Sequence, residues 1–218
     1  MILRVKSYVN FLRESDYVIL EGAFKKRLEK FEIEKFRKTR RESLSQIAGE
    51  ISQCTSCRLC EGRNKTVPGD GDPLAQIVFV GEAPGYHEDR QGIPFVGRAG
   101  KLLERLLSGI GLSRDRVFIC NVVKCRPPEN RDPRPDEIEA CEPFLLRQLD
   151  ILNPPVICTL GRYATQTLLR TNTGINRLRG RFYEYHGIPL LPTLHPAAVL
   201  RHPNQLEEVE KDFDLILA

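Results

Sequence analysis

The chain has 218 residues, enough for one full domain plus an extension, with 33 Lys and Arg against 29 Asp and Glu. A net charge of +4 and a pI near 8.7 permit a polyanionic partner without demanding one. With 41% hydrophobic and 28% charged residues, whole-chain disorder is excluded, and no run of 18 apolar residues is present to span a membrane.

Residues 1–50 read as a basic helical extension. The opening MILRVKSYVNFLRESDY has no sustained apolar run and no small-residue cleavage site, so no secretory leader is expected and the protein reads as cytoplasmic. Between Lys25 and Arg41 stand nine Lys or Arg and three Glu, with Phe24, Leu28 and Phe31 at i, i+4, i+7. That spacing predicts an amphipathic helix packed on the main domain through its apolar stripe. The charge run suits a solvated face; an arm that grips nucleic acid is the sharper alternative.

Residues 51–218 form the main domain. Gln76-Ile-Val-Phe-Val-Gly81 is an apolar, β-branched run ending in glycine, as a buried parallel strand would be. A Gly/Pro-rich loop through Gly85, Gly92, Pro94 and Gly97 leads to a helix at Lys101-Leu-Leu-Glu-Arg-Leu-Leu. Arg116-Val-Phe-Ile-Cys-Asn121 reads as a second strand, and a Pro-rich loop from Pro127 to Pro135 follows. The next helix carries Ile138, Cys141, Leu145 and Leu149 on one face, with Pro135 near its start. Pro155-Val-Ile-Cys-Thr-Leu160 is a third strand, Gly161 opens another helix, and a hairpin about His186-Gly187 leads into the last strand. Strands alternating with helices imply an α/β sheet covered on both faces, whose ligand sits at the carboxyl ends of the strands.

Three polar loops follow strand-like runs: Gly81-Glu-Ala-Pro-Gly85, Asn121-Val-Val-Lys-Cys-Arg-Pro-Pro128 and Thr193-Leu-His-Pro196. Each puts a carboxylate, a carboxamide or an imidazole at a strand end. The glycines do not match a dinucleotide fingerprint, and no Gly-Lys-Ser/Thr follows to make a P-loop. The seven cysteines are an odd number, and in a reducing compartment they point to metal ligation more than to disulfides. Cys54-x-x-Cys57-x-x-Cys60 precedes the first strand, and Cys125 and Cys141 lie 16 apart. Closely spaced thiolates suit zinc or an iron–sulfur cluster, and spacing alone chooses neither the metal nor the fourth ligand. Cys120 and Cys158 sit inside strand-like runs as small buried hydrophobes.

Taken together, these segments resemble the family 4 uracil-DNA glycosylases, the iron–sulfur type of bacteria and archaea. The matching stretches are Cys54-Thr-Ser-Cys57-Arg-Leu-Cys-Glu-Gly-Arg63, Val80-Gly-Glu-Ala-Pro-Gly85, Glu88-Asp89, Pro94-Phe-Val-Gly-Arg-Ala-Gly100, Asn121 to Pro128 with Asn130-Arg131, and His195-Pro196. The resemblance runs from about Cys54 to Arg201 and leaves residues 1–50 uncovered. It implies a three-layer α/β/α fold around a four-stranded parallel sheet. It also implies a structural [4Fe–4S] cluster on Cys54, Cys57, Cys125 and Cys141, with Cys60 outside the ligand set. The activity implied is a DNA repair reaction in which uracil is flipped out and its N-glycosidic bond hydrolysed, leaving an abasic site.

The resemblance assigns Phe95 to stacking on uracil, which an aromatic face does with about 1–3 kcal/mol per base and without choosing the base. Asn121 makes the choice, its carboxamide offering one donor and one acceptor to O4 and N3–H, where cytosine presents the reverse. Glu88 walls off the 5-methyl of thymine, with Tyr86 as a neighbouring alternative. His195 is placed to hydrogen-bond O2, with the Ala83 N–H as a second donor to the developing anion. Glu82 orients the attacking water and favours the cationic sugar. Arg126, Arg131 and Arg201 are the candidates for phosphate contacts, which add salt-sensitive affinity. The enzyme is expected to act as a monomer on single- or double-stranded DNA, with a sliding clamp as a further candidate partner. Rival readings are a non-catalytic binding module, a cross-linking relative and a polymerase-associated domain. The cross-linking type carries a histidine after the asparagine motif, absent here, and polymerase chemistry needs paired metal-binding carboxylates.

Overall fold

A computed structural model describes residues 22–217. The chain divides into two compact units between Glu42 and Ser43. Helix α1, Gly22–Gln53, runs through that division. In the first unit Phe31 is 64% exposed; it is the one described member of the expected apolar stripe, since the side chains of Phe24 and Leu28, like residues 1–21, lie outside the described residues. The second unit begins before residue 51 because Ile47 and Ile51 are buried and Leu44 packs against a core cluster.

The second unit is built on a six-stranded sheet of order β1-β3-β2-β4-β6-β5. Its centre is the expected four parallel strands: β2 (Ile77–Gly81), β3 (Phe118–Asn121), β4 (Val156–Leu160) and β6 (Ile188–Thr193). Two short antiparallel strands, β1 (Asp70–Gly71) and β5 (Tyr183–Tyr185), are added at the edges. The β5–β6 hairpin turns at His186 and Gly187, both at positive φ (48° and 79°), the conformation a tight two-residue turn requires.

Side-chain alternation along the strands sorts the interior into two cores. Val78, Val80, Phe118 and Cys120 face one layer, where α5 (Pro135–Leu152) and α6 (Arg162–Leu169) bring Leu145, Leu149 and Leu168. Ile77, Phe79, Ile119 and Cys158 face the other, where α4 (Arg98–Gly109), α8 (Pro196–Arg201) and α9 (Leu206–Asp214) bring Leu103, Leu107, Val199 and Phe213. Cys120 and Cys158 are fully buried hydrophobes, as their positions imply. The short helices α2 (Leu59–Gly62), α3 (Tyr86–Gln91) and α7 (Ile175–Leu178) lie in the connections. Consecutive parallel strands cross to opposite sides of β2, which opens a crevice at its carboxyl end.

Candidate active site and cysteine pocket

One cleft at the carboxyl ends of the strands is lined by Glu82, Ala83, Glu88, Phe95, Asn121 and His195, together with Arg131, Asp132 and Arg201. All six residues expected to touch the base or do chemistry therefore meet, although they come from separate segments of the chain: the loop after β2, helix α3, the loop before α4, the end of β3 and the start of α8. Tyr86 is 47% exposed and is not among the lining residues, whereas Glu88 is.

Asn121 ends β3 with 1% exposure, and its Oδ1 is buried with no hydrogen-bond partner. Its main-chain carbonyl accepts 2.7 Å from Lys124 Nζ, which also donates 2.6 Å to Gln148 Oε1. Gln148 in turn donates 2.8 Å to the Pro68 carbonyl. A buried lysine is costly unless its donors are used, and burial pushes the Lys124 pKa down. Beside Asn121, a Cβ on Gly81 would stand 2.7 Å from the Phe95 ring, so only glycine lets the strand end and the ring approach this closely.

Phe95 sits at φ 53°, a strained position for a bulky residue. Arg114 donates 3.1 Å to the Phe95 carbonyl and also bonds the Pro94 carbonyl. Glu88 Oε1 accepts from the N–H groups of Val96 (2.9 Å) and Gly97 (2.8 Å), at the N-terminus of α4. The Glu88 carboxylate thus holds the aromatic loop from below, while Arg114 holds it by its carbonyls. Arg114 also pairs with Asp70 at 3.3 Å and Glu104 at 3.9 Å, but its hold on the aromatic loop runs through main-chain carbonyls, which no sequence motif records.

His195 caps α8, its Nδ1 accepting 3.1 Å from the Ala197 N–H. That bond assigns the neutral tautomer with its proton on Nε2, leaving a donor for the cleft. Burial, reinforced by Arg201 and opposed by Glu88, lowers its pKa to about 4, so the ring is neutral at physiological pH. Its ring centroid is 5.5 Å from that of Phe95. Gly161, at φ +89°, clears the space, since a Cβ there would be 2.8 Å from His195 Cβ.

Glu82 behaves differently. Burial raises its pKa to about 7, with Asp132 adding repulsion and Arg162 and Arg201 opposing it. Asp132 is fixed by the Tyr163 hydroxyl at 2.8 Å and by Arg162 at 3.2 Å. A carboxylate poised near neutrality and a neutral imidazole on one cleft can serve separately as a base and as a hydrogen-bond donor. Asp132 has no motif of its own in the sequence; only its position across the cleft identifies it.

A second pocket, on the α5 side of the sheet, is lined by Cys54, Cys57, Cys60, Cys125 and Cys141, with Arg63 and Lys124. Arg63 donates to the Cys54 carbonyl (2.8 Å), the Ser52 carbonyl (3.2 Å) and Cys125 Sγ (3.3 Å). The Lys124 N–H lies 3.2 Å from Cys141 Sγ. Burial pushes the thiols of Cys57, Cys125 and Cys141 up, the last to about 11. Among the described residues no three Cys, His, Asp or Glu are arranged around a point that would hold a single metal ion. Asp89 is fully buried and binds Asn64, a structural task that ties the residue after Arg63 to α3.

Comparison with known proteins agrees in sequence. The profile of the Uracil DNA glycosylase superfamily matches residues 68–217. The type-4 uracil-DNA glycosylase of Sulfurisphaera tokodaii is 49% identical over 184 residues, covering 80% of this chain and 84% of that one. Its counterpart in Archaeoglobus fulgidus is 48% identical over 183 residues, 80% and 92% of the two chains. That of Thermotoga maritima is 44% identical over 181 residues, 79% and 94%.

Proposed function

Because the chain belongs to the uracil-DNA glycosylase superfamily, we propose that it is a monofunctional uracil-DNA glycosylase whose cleft reads the flipped base through Asn121. It is a hydrolase of N-glycosyl bonds and works in DNA repair, on uracil-containing DNA of a bacterial or archaeal cytoplasm. The observation that supports the assignment of Asn121 most directly is its buried, unpartnered Oδ1 beside the Phe95 ring. An orphan acceptor costs about 1–3 kcal/mol and asks for a donor. The N3–H of uracil supplies one; cytosine places a lone pair there instead.

Phe95 stacks on the base, and Glu88 closes the side on which thymine carries its methyl. As the glycosidic bond breaks, charge develops on O2, where His195 Nε2–H and the Ala83 N–H donate. Glu82 in its ionised form orients water toward the cationic sugar. Arg201, on the cleft wall, and Arg126 contact phosphates, while the fork of Arg131 is already occupied by Glu137 at 2.8 and 2.6 Å.

Cys54, Cys57, Cys125 and Cys141 would hold a [4Fe–4S] cluster. The donor set fits: the four thiols line one pocket, and two of the sulfurs receive N–H bonds of the kind that stabilise thiolates. Cys60 lines the same pocket, and the family pattern leaves it out. When bound, the cluster supplies cross-linking, not reaction chemistry, and the residues it would join carry Arg126 and Pro127 to the cleft. The enzyme acts as a monomer; a sliding clamp has no residue assigned to it.

The test is uracil release from a labelled oligonucleotide with one uracil, followed by alkali. Cleavage at uracil alone, with thymine and cytosine controls intact, is the expected outcome. A slow-migrating covalent complex would favour the cross-linking relative, and no reaction from iron-loaded protein would leave a binding module.

A further inference from the structure

The arginines around the cleft divide by what holds them. Arg131 is paired with Glu137, Arg162 with Asp132, and Arg114 with Asp70 and Glu104. Arg90 and Arg126 pair with no carboxylate among the described residues; Arg126 Nε donates 2.8 Å to Asn130 Oδ1, and Arg90 reaches 3.5 Å to the Tyr86 hydroxyl. Both guanidinium groups instead converge on the ring of Tyr86, at 5.7 Å for Arg90 and 5.2 Å for Arg126. The ring is a large exposed aromatic surface, at the lip of the cleft: Tyr86 follows Gly85 and Arg126 precedes Pro127, and both neighbours line it.

We propose that Tyr86, Arg90 and Arg126 form a phosphate clamp that grips the DNA backbone beside the flipped nucleotide. Two like charges drawn to one ring repel each other, and no acid among the described residues pairs with either. A phosphodiester set against the pair removes that repulsion and supplies the acceptors that two guanidinium forks require. The ring fixes the cations by cation–π contact and needs no base stacked on it. The clamp rests on the reading of the protein as a DNA glycosylase, yet it can be tested apart from it.

The measurement is the salt dependence of binding to a single-stranded oligonucleotide, once without and once with uracil, by fluorescence anisotropy. Removing one phosphate-binding cation lowers the slope of log K against log salt by about 0.7. Arg90→Met is expected to lower it by about that amount on both oligonucleotides. Tyr86→Leu, which removes no charge, is expected to weaken binding and lower the slope, while Tyr86→Phe keeps the parent values. Melting curves establish that the variants fold. An Arg90→Met slope equal to the parent's, or Tyr86→Leu indistinguishable from Tyr86→Phe, overturns the clamp. Failure of the glycosylase reading appears elsewhere, as absent uracil release by the parent, and leaves the slope measurement standing.

Discussion

Asn121 combines near-complete burial with an acceptor that no protein group satisfies. Asn121→Asp replaces a donor–acceptor pair by acceptors alone, and should cost uracil release about 5- to 150-fold, the equivalent of about 1–3 kcal/mol, while narrowing the preference over cytosine. Parent-like release by that variant would remove Asn121 from base readout. Glu82 gives the second residue-scale expectation. With its pKa raised to about 7, its ionised form grows as pH rises, so kcat/KM should climb through neutrality and level off above. Glu82→Gln should abolish that limb. Asp132→Asn removes a negative neighbour, favours the ionised form and should move the limb to lower pH. His195 adds no limb there, since burial keeps it neutral until about pH 4.

The loop before α4 shows how an element positions a side chain. Phe95 is held at φ 53° from two sides, by Arg114 on its carbonyl and by Glu88 on the next two N–H groups. Arg114→Met leaves two carbonyls without their charged donor, and should destabilise the fold by about 1–3 kcal/mol and raise KM more than it lowers kcat. Gly81→Ala puts a methyl against Asn121 Oδ1 and 2.7 Å from the Phe95 ring. It should lower uracil release at least tenfold, and a rate within twofold of the parent would show that the ring need not sit where it does. Crystal positions of Phe95 in the two variants would separate the effects. The end of β3 is held in the same manner, by Lys124 and Gln148 from inside the core.

At the scale of the molecule, the cysteine pocket and the cleft share one connection. Residues 121–128 run from Asn121, through Lys124 and Cys125, to Pro127 on the cleft wall. Cys125→Ser should therefore lose iron and lower thermal stability, and uracil release should fall with it. An unchanged iron-to-protein ratio would sink the ligand assignment. Cys60→Ser is the matching control, expected to keep its iron.

The alternation of apolar runs and polar loops was enough to place the main strands of an α/β sheet, because a strand buried on both faces must be apolar throughout, and the family resemblance implied that four of them run parallel. Glu82, Asn121 and His195 were legible for the same reason, as polar residues standing where those runs stop. Cys120 and Cys158 were legible as core. The edge strands β1 and β5 were harder to see, being two and three residues long, and the solvation of Phe31 ran against its helical spacing. What the tertiary structure decided is the set of groups that act through main-chain atoms or across the cleft: Arg114, Lys124, Gln148, Asp132 and Arg63. Pattern and spacing record how a residue relates to its neighbours in the chain. Each of these five has partners in other segments, and only folding brings a guanidinium to a carbonyl 19 residues away or a lysine to a glutamine 24 residues on.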